Sequence, residues 1–172
     1  MPKAIVAYET TYGSTREYAE ELAARLGVAS LSFKEAAAAL NQDPTAPVIV
    51  LSPVHGPMHP GAKFVSDTDF GLHPVALCTV GMTLDEVAEK KDGAAKVIGS
   101  KASTVKRFYL PGRLNYSELS TAHRTTMWTI VNMLKAKPMK SANDKMMINT
   151  FDTDVDRVDF GRLDEIVAWA QG

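Results

Sequence analysis

Three short runs of the chain are apolar without alternation: KAIVAY (3–8), PVIVLS (47–52) and PVALCTV (74–80), all containing β-branched residues. A strand buried on both faces reads this way, because neither side leaves room for a charge, and such strands belong to parallel sheets covered by helices. Two half-polar runs, VASLSF (28–33) and TVKRFYL (104–110), fit the edges of that sheet. Between the first two strands, Ala19, Leu22, Ala23 and Leu26 recur on one helical face; Ser14 and Glu17 form an S-x-x-E capping signature, and Gly27 marks the stop. Further helices are predicted at about 34–41, 61–68, 84–99, 118–136 and 160–170. The order β-α-β-α-β-α-β-α-β, with no internal repeat, predicts a doubly wound α/β fold with a five-stranded parallel sheet and helices on both faces.

Composition narrows the partners. A chain of 172 residues, 45% hydrophobic, suits one domain with a sizeable core. Nineteen basic against twenty acidic residues leave a formal charge of −1, so no long-range field recruits nucleic acid or an anionic membrane. The single cysteine, Cys78, sits in an apolar run, which excludes an intramolecular disulfide and a thiolate-rich metal site and implies a core residue in a reducing compartment. The apolar stretch in MPKAIVAYET is too short for a signal-peptide core, and no later run approaches membrane-spanning length; a cytoplasmic protein is expected.

Doubly wound sheets bind ligands beyond the carboxyl ends of their strands, which directs attention to ETTYGST, PVHGPMHPG and GMTLDE. The first runs into a helix N-terminus, whose unpaired amides and positive dipole end favour an anion. Thr10, Thr11, Ser14 and Thr15 surround it with hydroxyls, and Gly13 lets the backbone curl. A bare strand-to-helix turn needs one capping hydroxyl and one glycine, so three hydroxyls are left to explain, and a phosphate cradle explains them. A Walker loop would require a lysine after the second glycine, and a dinucleotide fold would require G-x-G-x-x-G; neither is present.

The run Thr10-Thr11-Tyr12-Gly13-Ser14-Thr15 resembles the phosphate loop of flavodoxins, roughly Thr/Ser-x-Thr-Gly-x-Thr, with Tyr12 in place of the usual threonine. The resemblance implies strand order 2-1-3-4-5 and FMN as the cofactor, its phosphate on residues 10–15. It also implies a ring between Ser52, Pro53, Val54, His55 and Gly56 on one side and Thr79, Val80, Gly81 and Met82 on the other. Pro53, Pro57 and Pro60 stiffen the first of these loops, Gly61 allows close approach, and His55, Met58 and His59 offer flat or polarizable contacts. A metal pair of His55 and His59 is the poorer reading, since the intervening Gly-Pro breaks any aligning helix and no carboxylate stands beside them.

After the fifth strand comes PGRLNYSELSTAHRTTMWTIVNMLKAKPMK, too long for a minimal flavodoxin link. Gly112, Arg113, Leu114, Tyr116, Arg124, Met127 and Ile130, followed by Asp159 and Phe160 before the last helix, resemble the menaquinone-dependent protoporphyrinogen oxidases of haem biosynthesis. That resemblance implies a flavodoxin-like domain over 1–172 with an insertion at about 111–158, oxidising a porphyrinogen and passing electrons to menaquinone. The chain departs from the family at KAKPMKSANDKMM, where Thr-Gly-Gly is usual. Here Lys135, Lys137, Lys140 and Lys145 against Asp144 leave a local charge of +3 among Met133, Met139, Met146 and Met147. This is either a solvated loop or a peripheral contact at the inner face of the cell membrane.

Within the insertion, Met127, Ile130, Val131 and Leu134 are expected to pack on the domain, and Trp128 and Trp169 to anchor the core. His123 and Arg124 would engage a substrate carboxylate or a surface ion pair. Asp152, Asp154 and Asp156 copy the start of a calcium loop, but Arg157 and Leu163 occupy positions that need Gly and Glu, and Asp159 caps the last helix. Three classes follow: an FMN oxidoreductase with no assignable catalytic acid or base, a flavodoxin electron carrier, and a signalling receiver. Carriers are usually strongly acidic, and a receiver needs an aspartate where Ser52 and Pro53 stand.

Overall fold

All six residues of β3 (Val48–Pro53) are buried, as expected of a strand at the middle of a covered sheet. The computed structural model describes residues 3–55 and 57–172 and pairs β3 in parallel with β1 (Ile5–Tyr8) and β4 (Val75–Gly81). The two-residue β2 (Ser30–Leu31) and β5 (Lys106–Pro111) form the edges, giving the order β2-β1-β3-β4-β5. This is the flavodoxin-like order expected, with the half-polar runs at the edges. Side chains alternate between two cores. Ile5, Val48, Val50 and Leu77 face α2 (Phe33–Ala39), α3 (Pro60–Asp67) and α5 (Gly93–Ile98), whereas Val6, Ile49, Leu51 and Cys78 face α1 (Ser14–Leu26) and α8 (Leu163–Gln171). Trp169 packs against the second of these cores.

The helix predicted over 84–99 is divided into α4 (Asp85–Lys91), α5 and a 3-10 turn, Gly99–Ser103. Asp92 causes the break: its backbone is left-handed, φ 36°, and its carboxylate is held by Arg107 Nε at 2.8 and 2.9 Å from β5. Gly61 is needed because a Cβ there would fall 2.4 Å from Ser52 Cβ, so only glycine lets α3 start this close to the end of β3.

The insertion folds as α6 (Thr121–Ala136), α7 (Ala142–Asn149) and a small antiparallel pair of β6 (Arg113–Leu114) with β7 (Val155–Asp156). The KAKPMKSANDKMM stretch was expected to be a loop, yet its last six residues, 142–147, belong to α7: Ser141 and Asp144 form a reciprocal capping box, and Lys137 Nζ reaches Asp144 at 2.7 Å. Trp128 is not a core anchor but 58% exposed, because it lies one step out of phase with the inward face that carries Met127, Ile130 and the buried Val131. The three aspartates of the calcium-like run are taken separately, Asp152 by Arg124, Asp154 by Ser117 and Asp156 by Arg113. Arg124 is thus a surface ion-pair residue. Asp159 Oδ1 accepts from the Gly161 amide and caps the 3-10 turn that leads into α8. Among the described residues, no helix is long and apolar enough to cross a membrane.

Candidate functional site

Helix α1 begins at Ser14, one residue too early for the S-x-x-E box. The capping position therefore falls to Gly13, at φ 98° and ψ −22°, which has no side chain to offer; Glu17 instead binds Arg113 at 2.6 Å. The first-turn amides of α1 are left without a capping side chain, and the positive end of the helix dipole is bare. Thr10 Oγ1 accepts from the Gly13 amide at 3.0 Å, which folds the turn back on itself. Among the described residues, Thr10 is the only one of the four hydroxyl residues here whose side chain makes a hydrogen bond. Ser14 and Thr15 are buried, at 9% and 1% exposure, while Thr11 is open to solvent.

Beside this turn lies a cluster from three separate elements. The Tyr12 hydroxyl is hydrogen-bonded to Nδ1 of His123, brought in by α6. The two rings meet edge to face at 5.6 Å, and His55, from the segment after β3, lies 6.0 Å from Tyr12 and stacks on His123 at 5.8 Å and 18°. His55 Nε2 is buried with no partner among the described residues. Burial, and secondarily the charge of His123, lowers the pKa of His55, so the ring is held neutral. Reciprocal backbone bonds of 3.0 Å tie His55 to Met58; Gly56 lies outside the described residues.

His59 turns away from this cluster. Its Nδ1 accepts from the Ala62 amide at 3.1 Å, capping α3, so Nε2 carries the proton and donates to Thr79 Oγ1 at 2.8 Å. His55 and His59 therefore serve different neighbours, and among the described residues no group of three or more His, Cys, Asp or Glu could hold a metal ion. Ser52 is wholly enclosed, its hydroxyl accepting from the Gly61 amide and donating to the Pro53 carbonyl. Val80 belongs to the core under the α1 side. Val54, Thr79 and Thr83 line a cleft of about 600 Å³ with His59 and Tyr109, between β5 and α4–α5; no residue of the α1 turn reaches it.

The loop after β4 is fastened by the insertion. Arg157 Nη1 donates to the Met82 carbonyl at 2.9 Å, and the Leu84 amide donates to Asn143 Oδ1, also at 2.9 Å. Gly81 is close-packed: a Cβ would fall 2.9 Å from Val54 and 3.0 Å from the Tyr109 hydroxyl. Sequence reasoning named His123 but missed Asn143 and Arg157. Arg157 drew notice only as a mismatch in the calcium-like run, and the Ser141–Asp144 capping box marks where α7 starts but not which way Asn143 faces.

The family model described as flavodoxin domain matches residues 5–141, from β1 to the cap of α7. The chain belongs to the flavodoxin-domain family. No curated protein and no solved structure matches it. Flavodoxin domains typically bind FMN, so membership points to FMN binding and electron transfer. In this flavodoxin domain the residues suit that group at the α1 turn, where the helix end has no side-chain cap and Thr11, Ser14 and Thr15 make no side-chain hydrogen bond among the described residues. His55 Nε2, buried and without a partner among the described residues, lies on the segment after β3 and is a polar atom such a group could use.

Proposed function

We propose that the chain is an FMN-dependent oxidoreductase that oxidises protoporphyrinogen and passes the electrons to a quinone such as menaquinone. The carrying observation is the end of α1: a glycine-capped N-terminus with no side chain of its own in place, ringed by Thr10, Thr11, Ser14 and Thr15. These hydroxyls and the first-turn amides would hold the phosphate, with Tyr12 and Gly13 shaping the turn. Pro53, His55 and Gly56 would meet one side of the ring, and Gly81 and Met82 the other; Ser52, Val54, Thr79 and Val80 would support these walls from behind. Bound there, FMN supplies two-electron chemistry. The chain's own residues position it, exclude water and manage protons.

The substrate rests on the resemblance through Gly112, Arg113, Leu114, Tyr116 and Arg124, and on the insertion's reach to both loops through His123 and Asn143. In this reading residues 1–172 are one flavodoxin-like unit, with about 111–158 as its insertion. Trp128, Met133 and Met139 are 58%, 69% and 84% exposed near Lys135 and Lys140, a surface suited to a membrane that carries the quinone. The family itself favours a second reading, a flavodoxin-type carrier with no substrate of its own. Anaerobic mixing of the FMN-loaded chain with protoporphyrinogen IX and a menaquinone analogue separates the two. The oxidase forms protoporphyrin with quinone-dependent turnover, whereas a carrier leaves porphyrinogen untouched and exchanges electrons with a redox protein.

A further inference from the structure

We propose that His55 is the proton acceptor of this site, with His123 as the residue that positions it. The inference rests on the oxidoreductase reading above. Oxidising a donor at a C–H beside an N–H removes a hydride and a proton. The hydride carries both electrons to the isoalloxazine ring, the N–H bond breaks as a C=N bond forms, and the proton needs a base.

Three observations point to His55. Its Nε2 is buried and unpartnered among the described residues, so a lone pair or an N–H there has no competing use. Its ring is fixed from two sides, edge-on to Tyr12 of the α1 turn and stacked on His123 of α6. His59 is engaged between Ala62 and Thr79 and Glu17 with Arg113, while Asp85, whose Oδ1 is likewise buried without a partner among the described residues, is held to Arg162 through Oδ2. The titratable groups packed on His55 are Tyr12 and His123, and burial followed by His123 sets its protonation, in the direction of the neutral base. Because its pKa is lowered, the base form persists at neutral pH and is lost only as the pH falls through that lowered value. His123 is tied to Tyr12 through Nδ1, which fixes the face it presents to His55.

The test uses the full chain and two hydride donors. Protoporphyrinogen gives up a hydride and a proton; a dihydronicotinamide gives up a hydride alone. In FMN-loaded H55Q, the rate of stopped-flow reduction by protoporphyrinogen relative to that by the dihydronicotinamide should fall by roughly 100-fold or more, and the porphyrinogen reaction should lose its acid limb. In the FMN-free wild type, imidazole NMR should show His55 titrating below about 6.5, with H123A moving it upward. An H55Q chain that matches wild type with both donors, or a His55 that titrates normally, overturns the assignment while leaving the oxidoreductase reading intact. A wild type that takes up no FMN overturns that reading and this one together.

Discussion

The Tyr18 hydroxyl donates to the Pro111 carbonyl at 2.5 Å. The same oxygen accepts from the Asp159 amide at 2.8 Å, so one fully buried side chain of α1 holds both necks of the insertion. α1 also carries the candidate anion turn at its N-terminus, about one helical turn before Tyr18, so the insertion and the site share one rigid element.

Tyr18→Phe keeps the ring but strands a carbonyl and an amide. The expected loss is about 1–3 kcal/mol of unfolding free energy by urea titration. Cleavage within residues 111–158 by a dilute protease should accelerate more than cleavage elsewhere.

Gly13→Ala isolates the backbone requirement. A Cβ at Gly13 meets nothing within 4 Å, so any cost comes from φ 98° and not from a clash. A destabilisation of about 1–3 kcal/mol is expected, together with weaker FMN binding as the turn relaxes. An equally stable chain with unchanged affinity would show that the left-handed turn does no work.

Thr15→Val preserves shape and removes the hydroxyl of an almost fully buried residue. If that hydroxyl donates to a phosphate, FMN affinity should fall roughly 10- to 100-fold, as expected for a lost hydrogen bond to a charged group. The urea midpoint should stay close to that of wild type, because Thr15 Oγ1 makes no hydrogen bond among the described residues.

Asp144 links the insertion to pH. Hydrogen bonds from Lys137, then from the Ser141 amide, hold its pKa down to about 2. A lowered pKa means that the carboxylate's support of α7 is complete above the ordinary aspartate value and is lost as pH falls toward about 2. Carboxyl NMR should place the Asp144 midpoint near the lower value, and Lys137→Met should raise it.

The parallel sheet was legible because continuous apolar runs such as Val48–Leu51 admit few other readings, and the α1 turn was legible because its hydroxyls exceed what capping needs. The cap itself was misread: Ser14 and Glu17 have the right spacing, but a glycine able to adopt φ 98° starts the helix one residue earlier. α7 was hidden by the lysines that precede it, Lys135, Lys137 and Lys140, although Ser141 and Asp144 carried the same kind of signature and here formed the box. The contacts Tyr12–His123 and Leu84–Asn143 span 111 and 59 positions, and no local pattern encodes such pairs. They exist only once the insertion is laid over the sheet.

The most direct measurement compares FMN with riboflavin, which differs only by lacking the phosphate, through quenching of flavin fluorescence by the purified chain. If the α1 turn is a phosphate cradle, FMN should bind one to one and at least about 100-fold more tightly than riboflavin. Equal affinity for the two, or no uptake of either, would contradict it.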